Sequence, residues 1–248
     1  MSDAPADKPS IVQYWHDESI PDYIAGLLRT FGEQNPELRH MVFSRERAAE
    51  FIARHFGARE SAAFQACAVP AMQADYFRYC AVLALGGVYC DADVECVAPL
   101  RQLVPPAGRG RLFRGRRRNV INGVFAFGSP GHPFLELALE VATANIEVRR
   151  FDTVYYTTGP PIFMALTYMQ ASAPPSAFTG VGVSIQFGQV IGAYCETIGD
   201  LERVDSAFET IELVEPSAQD AFIRSPETAL PYKRSATHWV DFDGPIFQ

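Results

Sequence analysis

The sequence predicts an α/β fold on three observations. Strand-like and helix-like segments alternate from the start of the chain. A helix-like run over 70–85 ends at a glycine pair and passes at once into a short apolar strand. And 48% of the residues are apolar against 20% charged, which supplies a core for both faces of a sheet.

The elements follow in order. Residues 1–10 read as a flexible tail, and 11–248 as a single domain. Residues 11–15, IVQYW, suit a first strand. Ser19 and Pro21 can open a helix towards Phe31 by cap and first-turn chemistry. LRHMVF, 38–43, reads as a strand, and Ser44 can cap a helix over Arg45–His55. Pro70 fits the first turn of the helix over 70–85. Gly86 and Gly87 stop it, one of them in a left-handed cap. Residues 88–90 form a very short strand that runs into Asp91. GRGRLFRGRRR, 108–118, reads as a basic, glycine-bearing loop: either a solvated surface or a contact for an anion or acceptor. A strand is expected over 120–127, a turn over 128–132 and a helix from 133. TTGPPIFMALTYM, 157–169, is a loop opening a helix. Residues 171–205 give no clear pattern, 211–216 suit a strand, and 226–248 hold too many turn formers for a long element. No internal repeat is evident.

Charge and cysteine usage narrow the function classes. The 248 residues carry 21 basic and 29 acidic side chains, for a net charge of -8. Such a chain is a poor general binder of nucleic acid, although a local basic site or a metal can still hold an anion. The five cysteines are scattered with no CxxC pair, which suits reduced thiols and a cytoplasmic setting. No targeting run opens the chain and no window reaches 18 apolar residues, so no membrane span is expected. Peripheral docking at the inner membrane face stays open.

The chemistry concentrates in LALGGVYCDADVECVAPL, 83–100. In extended backbone, residues i and i+2 point the same way, so Asp91 and Asp93 can address one point. Two converging carboxylates repel unless a cation intervenes, and a hard divalent ion with oxygen ligands relieves the repulsion. One aspartate can hold the metal while the other takes a substrate hydroxyl. A lone DxD also arises in loops by chance, but this one follows a strand, where α/β sheets gather ligands. One turn-spacing set on the preceding helix, Asp75, Arg78 and Tyr79, shares a side. It reads either as a local ion pair or as a substrate clamp, the guanidinium matching phosphate and Asp75 accepting from sugar hydroxyls. Cys90 should point away from the aspartates into the core. His16, His40, His55 and His132 read as ordinary polar or capping residues, and the cysteines give no zinc spacing.

ADYFRYCAVLALGGVYCDADV resembles the signature of DxD glycosyltransferases of the family 32 type, with capsular, mannosyl and clostridial-toxin-like members. Asp75, Arg78, Tyr79, Gly86, Gly87, Tyr89, Asp91 and Asp93 fall on it, with Ala74 one place nearer the aspartate than the pattern has it. IVQYW resembles the family's opening I-H-x-x-W strand, with Val12 where histidine is usual. INGVFAFGSPGHPF, 121–134, resembles the segment whose asparagine, here Asn122, approaches the donor sugar. TTGP, 157–160, resembles the later TGP segment, and SATHW, 235–239, the C-terminal H-x-W region that closes over metal and diphosphate.

The resemblance implies a GT-A fold, a Rossmann-like α/β sandwich with a mixed central sheet that binds nucleotide sugars. It implies transfer of a sugar from a nucleotide-diphosphate donor with retention, aided by Mn²⁺ or Mg²⁺. Asp75, Arg78, Asp91, Asp93 and Asn122 would be the catalytic set. Trp15, Asp75, Arg78, Tyr89, Asp91 and Gly159 would surround the donor. Asp93 would take the metal directly, with Asp91 and His238 as further contacts. UDP-sugar donors are favoured, with GDP-mannose the alternative, since mannosyl members use guanosine donors. The acceptor would be a growing polysaccharide or other glycan, a lipid-linked saccharide or a protein. Two other readings compete: a metal-dependent phosphohydrolase with an aspartyl nucleophile, and a decayed scaffold that only binds sugar nucleotides, to which Val12 lends slight support.

Overall fold

The computed structural model describes residues 8–115, 119–169, 185–226, 230–234 and 244–248. Most of the expected tail, Arg116, Arg117, Arg118 and the SATHW segment with His238 lie outside the described residues. The described strands are β1 Ser10–Tyr14, β2 Arg39–Phe43, β3 Gly87–Cys90, β4 Glu95–Cys96, β5 Gly110–Arg114, β6 Val120–Phe127, β7 Ile211–Val214 and β8 Ile223–Arg224. The described α-helices are α1 Asp22–Gln34, α2 Arg45–His55, α3 Ala58–Ala66, α4 Pro70–Leu85, α5 Pro133–Glu147, α6 Val154–Thr157, α7 Pro161–Met169, α8 Ile185–Ile198, α9 Leu201–Phe208 and α10 Pro216–Asp220.

The main sheet is mixed and runs β2-β1-β3-β6-β5-β7. β1 pairs parallel with β2 and β3, β6 lies antiparallel between β3 and β5, and β7 is parallel to β5. β4 and β8 form a separate two-stranded ribbon. Alternation along the strands fills two cores at once. Val12, Tyr89, Phe125 and Phe127 pack on the face covered by α4, α5 and α7. Ile11, Val88, Cys90, Val124 and Ala126 pack on the other, with Phe31 of α1 and Leu100. The fold is therefore the expected α/β arrangement, with a mixed sheet between helical layers. Cys90 points away from the Tyr89 face into the second core, as its place in the strand predicts. Val12 is wholly buried, with Met41 and Tyr89 as strand partners.

Local signals explain most boundaries. The Ser44 hydroxyl accepts from Arg47 N at 3.3 Å and starts α2. Pro70 opens α4, and Gly86 ends it with φ +66. Gly87 also has positive φ, +89, and a Cβ there would lie 2.2 Å from Ser10 O. The pair thus does two jobs: it turns the chain out of α4 and lets β3 begin flush against β1.

Three expectations need correction, and α3 is an element beyond those expected. Ser19 does not cap α1, whose N-cap is Pro21 without a side-chain bond. Both glycines of the pair, not one, take positive φ. At the start of α3 the Glu60 carboxylate accepts from Gly57 N at 3.1 Å, half of a capping box. Residues 110–114 are a strand, not a loop. Leu112 and Phe113 bury their side chains, while Arg111 bonds Glu212 at 2.8 Å and Arg114 lies 3.5 Å from Glu215. Arginines on both sides of Leu112 and Phe113 make an inner strand look like a solvated loop.

His132 yields a pH prediction. Its Nδ1 accepts from Phe134 N at the start of α5, and its Nε2 lies 3.0 Å from Thr210 Oγ1. Burial lowers its pKa to about 4. The unfolded chain binds this proton first, so stability should be full above about pH 6.5 and fall as pH drops towards 4. Denaturant titrations should show that loss, and His132→Asn, which keeps a capping group without the titration, should flatten it.

Candidate active site

The site grows out of α4. Asp75, Arg78 and Tyr79 share one side of that helix, and all are buried. Arg78 Nη2 lies 3.0 Å from Asp75 Oδ1 and 3.1 Å from Asp91 Oδ1. Its Nη1 donates to Asn122 O at 2.7 Å, its Nε to Ala74 O at 3.2 Å, and its guanidinium covers the Tyr89 ring at 4.7 Å. Burial alone would lower the Arg78 pKa, but Asp91, Tyr89 and Asp75 raise it, so the guanidinium stays charged. The guanidinium is thus held by two carboxylates, two carbonyls and one ring. Asp75 is equally committed: Asn122 Nδ2 donates to its Oδ1 at 3.1 Å and Thr158 Oγ1 to its Oδ2 at 3.3 Å. Burial raises its pKa, opposed by Arg78, Asn122 and Thr158. Asn122 also reaches Tyr79 Oη at 3.0 Å, and that hydroxyl donates to Thr158 O at 2.7 Å.

Asp91 stands where β3 leaves the sheet. Its N donates to Gly123 O at 2.9 Å, and its O accepts from Gln13 Nε2 at 3.1 Å. Tyr89 Oη donates to its Oδ1 at 3.2 Å, which leaves Oδ2 facing Gly123. The side chain keeps 38% exposure and borders the cleft described below. Burial pushes its carboxyl up to about 6, with Asp93 and Asp75 adding to the rise and Arg78 and Tyr89 opposing it. A Cβ on Gly123 would sit 2.4 Å from Asp91 Oδ2. Gly123→Ala should therefore displace this carboxylate, at about 1–3 kcal/mol of stability. Ligand binding in the cleft should weaken well beyond what a stability loss of that size explains; parallel melts and binding titrations check both.

Asp93 does not share an extended strand with Asp91. The chain turns at 92–93, where Ala92 packs into a small apolar cluster with Ile24, Leu28 and Leu230. The turn still delivers Asp93 to the same cleft. Tyr232 Oη donates to Asp93 Oδ2 at 2.6 Å, and Lys233 Nζ pairs with the same oxygen. Tyr232 meets Trp15 edge-on at 5.6 Å between ring centroids. Trp15 lies one residue beyond β1, and its buried Nε1 has no partner among the described residues.

These groups line a cleft of about 840 Å³, a volume suited to a small-molecule ligand. Trp15, Asp75, Arg78, Tyr89, Asp91, Asp93, Asn122 and Gly159 all border it. Gly159 is required sterically: a Cβ would lie 2.6 Å from Tyr155 O. One wall is apolar, with Val69, Pro70, Ile121 and Val154. Among the described residues, no group of three or more His, Cys, Asp or Glu gathers as a metal cage. The donors that are present, Asp91 Oδ2 and the Asp93 carboxylate, suit a hard cation completed by ligand phosphates and water.

Residues 21–108 match the family model described as "Glycosyltransferase sugar-binding region containing DXD motif". Over that stretch the chain is similar to DXD-motif glycosyltransferases. It is also similar to fungal mannosyltransferases. The domain is 26% identical over 125 residues to an initiation-specific alpha-1,6-mannosyltransferase of Schizosaccharomyces pombe, covering 49% of this chain and 30% of that protein. It is 28% identical over 177 residues to inositol phosphoceramide mannosyltransferase 3 of the same organism, covering 68% and 47%. The domain thus spans less than half the length of these curated relatives. Its fold is similar to that of the PaToxG glycosyltransferase, with a TM-score of 0.58 at 14% identity over 82% of this chain and 86% of the other. The mixed sheet between helices, with the family match, is consistent with the expected GT-A architecture. No helix among the described residues is long and apolar enough to cross a membrane.

Sequence reasoning missed Gln13, Gly123, Thr158, Tyr232 and Lys233. Gly123 follows Asn122 directly and could have been read as a close-approach glycine. The others reach the site only through the fold.

Proposed function

We propose that the transferase domain moves a sugar from a nucleotide-diphosphate donor to a glycan, lipid-linked or protein acceptor, in the manner of family 32 enzymes. The single observation that carries this reading is the meeting of Asp75, Arg78, Asn122, Asp91 and Asp93 in one cleft of ligand size. The mannosyltransferase relatives shift the donor preference from UDP-sugars towards GDP-mannose. Retention of configuration rests on the resemblance in sequence.

The residues divide the work. Asp93 and Asp91 Oδ2 would hold a divalent cation, which when bound supplies Lewis-acid stabilisation of charge on a departing diphosphate. Arg78 is a positioning residue. Four of its five N–H donors go to Asp75, Asp91, Asn122 and Ala74, so it aims carboxylates rather than grasping phosphate. Asp75 in turn fixes Asn122, whose segment faces the donor sugar in the resembled family. Trp15, Tyr89 and Gly159 shape the pocket.

A donor panel tests the reading. GDP-mannose, UDP-glucose, UDP-galactose and UDP-N-acetylglucosamine are incubated with the chain and Mn²⁺, and nucleoside diphosphate release is followed. Release from one donor is expected. Phosphate release from simple esters instead would point to the phosphohydrolase, and silence with folded protein that binds no donor would overturn the transferase reading.

A further inference from the structure

Among the described residues, the cleft lining carries three carboxylates, Asp75, Asp91 and Asp93, and two permanent cations, Arg78 and Lys233. The two cations differ in freedom. Arg78 is 5% exposed and tied on every side. The Lys233 side chain is 39% exposed, and Asp93 is its ion-pair partner. It rides on a single turn, Pro231–Arg234, that Leu230 anchors in the Ile24–Ala92 cluster and Tyr232 anchors against Trp15. Its ammonium sits on the Asp93 carboxylate, through Oδ2, and that carboxylate is the group a divalent cation would take. A hard cation and an ammonium on one carboxylate repel each other. A diphosphate entering the cleft brings negative charge within reach of a flexible four-carbon stem.

We propose that Lys233 is an exchangeable counter-ion. It neutralises Asp93 in the donor-free domain and passes to the donor's diphosphate when a divalent cation takes Asp93. The inference rests on the sugar-transfer reading for the identity of the ligand, but its test needs no transfer. Exchange makes two opposite demands on one side chain. Without Lys233, metal alone should bind more tightly, because its competitor is gone. The diphosphate should bind more weakly, because its new partner is gone. A lysine that merely supports the fold would move both affinities the same way.

The test measures Mn²⁺ affinity of the full chain from the resonance of free Mn²⁺, and GDP and UDP affinity at saturating Mn²⁺ by calorimetry. The variants are Lys233→Met, Lys233→Arg and Asp93→Asn. Lys233→Met should tighten Mn²⁺ about fivefold and weaken the preferred diphosphate about tenfold, on the scale of a half-exposed ion pair. Lys233→Arg should stay near wild type in both, and Asp93→Asn should lose the Mn²⁺ site. Unchanged or weaker Mn²⁺ binding in Lys233→Met, no Mn²⁺ binding in either protein, or unchanged diphosphate affinity would each overturn the proposal. So would Mn²⁺ binding that survives Asp93→Asn. A silent donor panel beside the predicted opposite shifts would sink the transferase reading and leave the exchange standing.

Discussion

Replacing Arg78 by methionine should cost about 3–5 kcal/mol of stability, the largest structural effect expected in this domain. The guanidinium stands between Asp75 and Asp91 and bonds the backbone of β6 through Asn122 O. Methionine fills much of the space but leaves two carboxylates without their cation. Burial already raises the pKa of both. Without Arg78 both should rise further, so the penalty is greatest at neutral pH and shrinks as pH falls and the carboxyls protonate. Urea melts of Arg78→Met at pH 7 and pH 5 check this. A second change, Asp75→Asn, should recover part of the loss at pH 7 by removing one of the stranded charges. A melt of Arg78→Met that matches wild type at pH 7 would mean that the triad is not held by charge.

The largest functional effect is expected at Asp93. Asp93→Asn should reduce donor turnover by roughly a hundred- to several-thousand-fold, the loss of a Lewis-acid contact worth several kcal/mol. Stability should change by less than about 1 kcal/mol, because the pair with Lys233 is partly solvated. Asparagine Oδ1 can still accept from Tyr232. The two aspartates thus differ: Asp91 is built into the core side of the cleft through Arg78, Tyr89 and Gly123, while Asp93 sits on a turn and pairs with Tyr232 and Lys233. Turnover and melting measured on the same preparation distinguish an Asp93 with a chemical role from one that only props up the turn.

Much of this arrangement was legible in sequence because its signals are local. Pro70, the turn-spaced set Asp75, Arg78 and Tyr79, and Gly86–Gly87 predict α4 and the short β3 that follows. Periodicity also predicts β6 and α5, whose chain passes Asn122 back along β3. What escaped depends on distance along the chain or on mixed signals. The Tyr232–Asp93 bond joins residues 139 positions apart, which no local pattern encodes. β5 was obscured by arginines whose partners, Glu212 and Glu215, come a hundred residues later. The extended reading of Asp91 and Asp93 was correct in outcome but not in cause: the burial of Ala92, not strand pleat, turns Asp93 towards the cleft.

The backbone bond from Asp91 N to Gly123 O continues the β3–β6 ladder past the end of β3. The first acidic residue of the motif is therefore the last rung of a central strand pair and not part of a surface loop. Its amide hydrogen should exchange with solvent only when that pair opens, on the same timescale as the amides of Val88 and Phe125. The cleft and the sheet would then melt as one cooperative unit, so that ligand affinity persists up to the unfolding transition and is lost with it, with no partly open, inactive form populated beforehand.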